Sequence, residues 1–445
     1  MSAAATNDEH FNQLAATLDA TLAAGERYAA SYAGETTDFV RMNRGKVRQP
    51  GRVAQRHLRV QLIRGARHAS HTLSLGGDLA ADQQAVRDAL VGLRSVLPDL
   101  RDDPHLLLPG VVASSRSVRG GPLPDSAQLV DGILEAAAGE DLVGILAAGP
   151  VQRGFANSEG QRNWHEATTF NLQWSLYYRG DKAVKSAYAG FTWDGEALAS
   201  RMAEARERLP LVSRPAKALE PGSYRAYLAP SAMEEIAGLL RWDGFSGRAL
   251  ATQQSPLARM QNGARLDPRI ALAEDIAGGV APSFQAEGFA RPGRLPLIGD
   301  GALVGALVSP RTAREFGLAE NGANSDEMPD ALSMRGGDLP ARDALTALDT
   351  GLAIGNLWYC NYSDRPACRM TGMTRFATFW VENGRIVAPV NVLRFDDTLY
   401  RLLGENLEAL TQETELMLDP NSYGARMLTS ATLPGALVRQ MSFTL

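Results

Sequence analysis

The alternation of apolar and polar residues in the first half of the chain predicts strands mixed with helices. Apolar residues recur at helical spacing over residues 11–23 and 79–96, which predicts two amphipathic helices. Apolar and polar residues alternate over residues 27–42, 53–63 and 69–75, which predicts short strands in the first stretch and one strand in each of the other two.

Two further strands are expected on either side of the stretch ANSEG, residues 156–160. An apolar run near residues 142–148 leads towards this turn, and the alternating stretch NWHEATTFNLQWSLYYRG follows it. Strands and helices succeed one another without a regular strand–helix–strand repeat. The pattern therefore favours an α+β fold over a parallel, doubly wound sheet.

The second half is predicted to consist mainly of strands joined by tight turns. Asp300-Gly301 and Asn383-Gly384 each lie between apolar runs, and such dipeptides favour the positive φ angles of a two-residue hairpin turn. Three helices are also expected, at residues 231–241, 310–316 and 398–410.

A proline-rich stretch separates the two halves. Pro210, Pro215 and Pro221 remove three backbone donors and interrupt regular structure. We therefore predict an N-terminal α+β domain at residues 1–209, a linker at 210–222, and a strand-rich C-terminal domain with antiparallel hairpins at 223–445. A chain of 445 residues is long enough for two cores.

Charge and hydropathy narrow the classes of partner. The net charge of −5 argues against nucleic acid as a partner, because binding to phosphates needs clustered positive charge. The longest apolar run, LVGILAAGPV, is shorter than the roughly 20 residues that cross a bilayer, so no membrane span is expected. The N-terminus lacks the charge and apolar pattern of a signal peptide, which favours a cytoplasmic protein.

The histidines give no convincing metal site. All six lie within the first 165 residues, and His68 and His71 are expected on opposite faces of one strand. His165, in WHEATTF, begins like a zinc-protease motif, but it has no second histidine and lies in a predicted strand. We interpret it as an ordinary strand histidine.

Cys360 and Cys368 flank a loop-like insert at the end of a predicted hairpin. They could meet as a thiol pair or as half of a metal site. Their separation exceeds the usual two to four residues between paired zinc cysteines, so structural or incidental thiols are the preferred interpretation.

Glu234 and Glu235 begin the stretch MEEIAGLLRWDGFSG, which predicts a helix followed by a glycine turn. Placed in the first helical turn, both carboxylates would be stabilised by the positive end of the helix dipole. That role requires no metal.

Three long stretches of the second half have a recognisable order and spacing. They are GSYRAYLAPSAMEEIAGLLRWDGFSG, SFQAEGFARPGRLPLIGDGALVGALVSPRTAREFG and GLAIGNLWYCNYSDRPACRMTGMTRFATFWVENGRIVAPV. In this order and spacing they resemble the TldD/PmbA family of metallopeptidase-related proteins. The turn ANSEG and the early stretch FVRMNRGKV fit as well, so the resemblance covers residues 24–445.

The resemblance implies a cytoplasmic heterodimeric protease, built from TldD and TldE (PmbA) subunits, that cleaves short or unfolded peptides in an enclosed chamber. In the TldD subunit a helix carries HExxxH, its histidines and a cysteine near the C-terminus bind zinc, and the glutamate acts as general base. Here the matching helix has no histidine, and Tyr423-Gly424 stands about where the TldD pattern has Cys-Gly. The chain is therefore closer to the PmbA/TldE subunit, which also lacks the motif.

From this resemblance we expect a degenerate motif helix with no catalytic residue and no metal ligand. Its residues of interest are Glu234, Glu235, Leu239, Leu240 and Asp243. No cofactor is expected in this chain, and zinc is expected in a TldD-like partner.

Three hypotheses remain open. The first is a non-catalytic TldE-like subunit that helps to hold peptide for its partner, with a homodimer also possible. The second is a self-sufficient metallopeptidase whose ligands come from Glu234, Glu235, Asp243 or the cysteines. The third is a protein-binding modulator of the DNA gyrase type, acting outside proteolysis.

Overall fold

The computed structural model describes residues 6–180 and 182–444, and these form an α+β fold with two large sheets. The first sheet takes its strands from residues 27–190, and the second from residues 222–443. The predicted fold class is confirmed. Residues 1–5 of the N-terminal stretch considered above lie outside the described residues.

The first sheet has seven strands. They are β1 (Arg27–Asn43), β2 (Lys46–Arg64), β3 (Arg67–Ser74), β4 (Ser115–Arg119), β5 (Asp141–Asn157), β6 (Arg162–Arg179) and β7 (Lys182–Gly190). The order is β3-β2-β1-β5-β6-β4, and β7 also pairs with β6. Only the β4–β6 pair among these is parallel. The strands predicted in this half are confirmed, except that residues 27–43 form the single long strand β1 where short strands were predicted. Strands β2 and β5 are longer than expected.

Four helices accompany the first sheet. They are α1 (Asn7–Thr21), α2 (Leu79–Val96), α3 (Ser126–Ala136) and α4 (Gly195–Val212). The side chain of Thr6 accepts from the Glu9 backbone while the Glu9 carboxylate accepts from that of Thr6, which fixes the start of α1. The buried side chains of Phe11, Leu14 and Leu18 then pack α1 into the core.

The second sheet has eleven strands. They are β8 (Gly222–Leu228), β9 (Leu272–Glu274), β10 (Leu295–Gly299), β11 (Ala302–Leu303), β12 (Ala331–Met334), β13 (Gly351–Asp364), β14 (Arg369–Glu382), β15 (Arg385–Pro389), β16 (Arg394–Thr398), β17 (Leu407–Leu418) and β18 (Ser430–Phe443). The order is β11-β10-β9-β12-β18-β16-β14-β13-β8. Because β8 also pairs with β18, five of these strands form a closed ring.

Five short helices accompany the second sheet. They are α5 (Pro230–Leu239), α6 (Gly247–Ala251), α7 (Ala258–Gln261), α8 (Pro310–Phe316) and α9 (Ala344–Leu348). The helices predicted at residues 231–241 and 310–316 are confirmed. Both predicted hairpins are confirmed as well, with positive φ at Asp300, Gly301, Asn383 and Gly384.

The helix predicted at residues 398–410 is wrong. A single wide turn, Arg401–Glu405, is followed at once by strand β17. Leu402, Leu403 and Leu407 are buried as the apolar pattern requires, but β17 pairs with β18, the last strand of the chain. Pairing with a distant strand overrides the local helical spacing.

Regular structure is interrupted later in the proline-rich stretch than predicted. Helix α4 continues to Val212, so Pro210 lies inside it, and β8 begins at Gly222. Pro210 removes one backbone donor, but it lies in the last turn of α4, so only two helical residues follow the interruption. Between the two elements, Lys217 forms an isolated bridge with Val390.

The two sheets share part of one hydrophobic core. Ala377 and Phe379 of β14 pack in the same cluster as Trp174 of β6, Val184 of β7 and Met202 of α4. All five side chains are almost fully buried. This contact brings β6, β7 and α4 against the second sheet, where a large cavity lies beside α5.

Candidate functional site

Helix α5 has two faces with opposite roles. Ala232, Met233, Ile236 and Ala237 are buried in the core of the second half. The residues between them, Ser231, Glu234, Glu235 and Gly238, form an i, i+3, i+4, i+7 stripe that lines a cavity.

The cavity has a volume of about 880 Å³ and lies between the two sheets. Its walls come from β6 and β7 of the first sheet, from α4 and α5, from β13, β14 and β17, and from the segments 324–330 and 419–429. A space of this size is within the range of pockets that hold small molecules or short peptides.

The two glutamates are not in the first turn of α5, which contradicts their predicted role at the helix dipole. Pro230 occupies the first helical position, so Glu234 and Glu235 lie in the second turn. The positive end of the helix dipole acts mainly within the first turn. Their position on the stripe, rather than capping, determines their environment.

Both carboxylates are half-buried and have no hydrogen bond or ion pair within the described part of the chain. Burial raises the pKa of Glu235 to about 7, the negative charge of Glu234 adds to the rise, and Lys185 opposes it. Burial also raises the pKa of Glu234, although Arg241 favours its charged form. An approaching cation would therefore stabilise both carboxylates.

Other charged side chains of the cavity are mostly paired. Arg208 bonds Glu204 on α4, and Arg201 lies 3.7 Å from Glu415. Asp330 accepts from Arg291 at 2.7 Å. Glu234 and Glu235 take part in none of these pairs, and the same holds for Asp326 and Asp419 elsewhere in the lining, within the described part of the chain.

The remaining residues of the predicted motif helix point elsewhere. Leu239 and Leu240 are buried in the core, and the Leu239 carbonyl accepts from the Tyr362 hydroxyl at 2.7 Å. Asp243 lies in the turn after α5 with a positive φ, and its carboxylate accepts from Arg365 at 2.8 Å. The structure therefore brings only Glu234 and Glu235 of this set into the cavity.

The two cysteines are free and do not form a pair. Cys360 lies in β13, with its sulfur beside Gly372 of the neighbouring strand β14. Cys368 lies at the end of the turn that joins these two strands. Burial and the two glutamates raise the pKa of the Cys360 thiol to about 12, and burial raises the pKa of Cys368 to about 12. Both thiols are protonated at neutral pH and are poor nucleophiles.

None of the six histidines lines the cavity. His68 and His71 lie in strand β3 as predicted, and His68 contacts Asp103 at 3.2 Å. His165 is buried in β6 with Nε2 2.9 Å from the carbonyl oxygen of Val280, and burial lowers its pKa to about 4. His165 thus connects strand β6 of the first sheet to the segment around Val280 in the second half of the chain.

The residues around α5 do not fit a zinc site. Zinc sites in proteins are built from three or four thiolate, imidazole or carboxylate ligands. Here α5 offers two adjacent carboxylates to the cavity, with a protonated thiol nearby and no imidazole in the lining. Across residues 6–180 and 182–444, no three potential ligands converge.

A second space, not predicted from the sequence, adjoins the cavity. This outer groove of about 470 Å³ lies along the tips of β1 and β2 and the facing parts of β5, β6 and β7. It shares Gln173 and Lys185 with the cavity. Alternating strand patterns show which residues share a face but not which surfaces enclose a groove, so no pattern in the chain indicates it.

The second half of the chain matches a known family. Residues 221–445, half of the sequence, match the family described as the PmbA/TldA metallopeptidase C-terminal domain. The chain belongs to the PmbA/TldD family.

Solved structures of similar fold cover almost the whole chain. TldE from Thermococcus kodakarensis superposes with a TM-score of 0.77 at 15% identity, covering 98% of this chain and 100% of that one. A Thermotoga maritima protein described as a proposed modulator of a DNA gyrase has a TM-score of 0.73 at 14% identity, covering 99% and 100%.

A third similar structure, from Bacteroides thetaiotaomicron and also described as a proposed modulator of DNA gyrase, has a TM-score of 0.73 at 16% identity, covering 98% of each chain. No curated protein sequence matches the chain. At these identities the solved structures establish a shared fold.

The polar stripe of α5 faces the cavity, and it carries carboxylates without histidine. The geometry suits the binding of a positively charged group better than the activation of a water molecule.

Proposed function

We propose that the chain is a TldE-like, non-catalytic subunit that pairs with a TldD-like zinc peptidase and helps to hold short or unfolded peptides. The observation that carries this proposal is α5, which faces a peptide-sized cavity without the donor set for zinc. The proposed location is the cytoplasm. Among the described helices, none combines the length and apolar character of a membrane-crossing segment.

An exposed strand edge supports the peptide-holding role. β3 pairs with β2 only from His57 to Arg64, and the earlier part of β2 is mostly exposed. On that side, residues 46–56 have no strand neighbour within the described part of the chain. An extended peptide can add to such an edge through backbone hydrogen bonds, which gives binding with little dependence on sequence.

The proposal is tested by co-expressing the chain with a TldD-like protein encoded in the same genome. We expect the two to co-elute as a complex that cleaves an unfolded peptide, and a chelator to abolish the cleavage. Each chain purified alone is the control, and size analysis of this chain alone reports any homodimer. Cleavage by this chain alone that a chelator abolishes would contradict the proposal.

Metal analysis separates this proposal from a self-sufficient metallopeptidase. We expect zinc to be recovered with the partner, and a near-stoichiometric transition metal in this chain alone would favour the alternative.

The description of two similar structures as proposed gyrase modulators favours one other candidate function. A pull-down that recovers gyrase without a TldD-like chain would support that function instead.

A further inference from the structure

The outer groove and the cavity form one continuous path. Gln173 of β6 and Lys185 of β7 line both spaces, so a guest lying in the groove can extend past them to α5. Helix α5 forms the inner wall of this path, since Ala232, Met233 and Ile236 behind the helix are fully buried.

The two ends of this path carry opposite charge. The outer groove is lined by three basic residues, Arg41, Arg48 and Lys185, and by no acidic residue. Arg41 and Arg48 are exposed, and neither forms an ion pair within the described residues. The inner end carries Glu234 and Glu235, which have no hydrogen bond or ion pair among those residues. Arg241 favours the charged form of Glu234, and Lys185, at the junction of the two spaces, favours the charged form of both glutamates.

A guest that complements both ends must be positive where it reaches α5 and negative where it lies in the groove. A guest carboxylate at the inner end would lie beside the Glu234 and Glu235 carboxylates, and further negative charge at close range in a poorly solvated site is unfavourable. An extended chain that runs along the path and stops at α5 presents its end to this wall. The end of a peptide that carries positive charge is its amino terminus.

We propose that this cavity binds a peptide in one direction, with the free amino terminus between Glu234 and Glu235 and acidic groups of the following residues at Arg41 and Arg48. The inference rests on the proposed peptide-holding function and adds a recognised group and an orientation. Each ammonium–carboxylate contact is a charge-assisted hydrogen bond, a stronger contact than a neutral one.

The test measures binding of short synthetic peptides to the full chain by calorimetry. The reference peptide contains Gly and Ser followed by two Glu residues, has a free amino terminus and contains no Lys or Arg. Its N-acetylated form keeps every other group. We expect acetylation to weaken binding about tenfold or more, in line with the loss of one or two charge-assisted hydrogen bonds.

Substitutions in the chain locate the contact. Glu235→Gln should weaken binding of the free-amine peptide about tenfold and leave the acetylated peptide unchanged. Glu207→Gln, an exposed helical glutamate outside the cavity, is the matched control and should change neither. The double variant Arg41→Gln/Arg48→Gln should weaken the reference peptide but not a version with Gln in place of both Glu residues.

Each result decides the orientation. Equal affinity for the free and acetylated peptides, no measurable binding of either, or stronger binding of an acetylated peptide that contains Lys would overturn the proposal. If the chain still activates a TldD-like partner in that case, the proposed function stands and only the orientation fails. Amine-dependent binding without activation of any partner would instead support the site and contradict the proposed function.

Discussion

At the scale of single residues, Glu235 shows how position on a helix determines chemistry. Its sequence context suggested a favourable charge at a helix start, but Pro230 shifts the first turn and places Glu235 beside a cavity. A proline at the first helical position is a readable signal, and so is the polar stripe from Ser231 to Gly238. The depth of the cavity was not readable, because β6, β7 and α4 are remote in sequence.

The raised pKa of Glu235 makes stability depend on pH. Its pKa rises from 4.5 in the unfolded chain to about 7 in the fold, so the charged form is disfavoured in the fold. The contribution of protonated Glu235 to the free energy of unfolding is therefore fully present below pH 4.5 and is lost as pH rises through about 7.

We therefore expect Glu235→Gln to raise the Tm by about 2 °C or more at pH 8.5 and to leave it nearly unchanged at pH 4.5. Thermal unfolding followed by circular dichroism at both pH values measures this. The control is Glu207→Gln on the exposed face of α4. An equal shift at both pH values would show that Glu235 is charged throughout the range.

At the scale of elements, turns were easier to predict than the identity of the strands they join. Asp300-Gly301 and Asn383-Gly384 determine backbone angles locally, so their hairpins could be read from the chain. Residues 398–410 were misread because the same apolar spacing serves a turn and a strand whose partner is β18, which lies further along the chain. Local sequence does not encode that partner.

Gly301 is expected to be the more sensitive of two glycines with positive φ. A Cβ at Gly301 would lie 2.2 Å from the carbonyl oxygen of Leu266, whereas a Cβ at Gly160 would meet nothing within 4 Å. Both substitutions to Ala carry the cost of the left-handed conformation, about 1 kcal/mol, and only Gly301→Ala adds a backbone clash.

We expect Gly301→Ala to lower the free energy of unfolding by about 3 kcal/mol and Gly160→Ala by about 1 kcal/mol. Urea denaturation of both variants gives the comparison. Equal losses would mean that the segment containing Leu266 moves to accommodate the methyl group.

At the scale of the whole molecule, a buried arginine joins the two sheets. Arg426, in the segment 419–429, donates to the Gly149 carbonyl oxygen at 3.0 Å and to the Thr169 hydroxyl at 2.7 Å. Its backbone N–H donates to the buried Glu35 carboxylate at 3.0 Å, and burial lowers the pKa of Arg426 to about 10. The predicted division into two domains gave no sign of this contact, since one residue from a loop makes it.

Removing this guanidinium should destabilise the chain. Arg426→Met keeps the length of the side chain but leaves the oxygens of Gly149 and Thr169 without their donor, at an expected loss of about 3 kcal/mol. The urea midpoint should fall accordingly. Arg335→Met, at an exposed arginine, is the control and should leave the midpoint unchanged. An unaltered midpoint for Arg426→Met would show that water replaces the guanidinium without loss.

The segment 419–429 both lines the cavity and contacts the first sheet. Asp419, Pro420, Met427 and Thr429 line the cavity, while Arg426 in the same segment is anchored to β5 and β6. A guest in the cavity binds only the folded arrangement and so increases its stability by mass action. Occupancy of the cavity and attachment of the two sheets are therefore thermodynamically linked, and a loaded chain resists separation of its halves more strongly than an empty one.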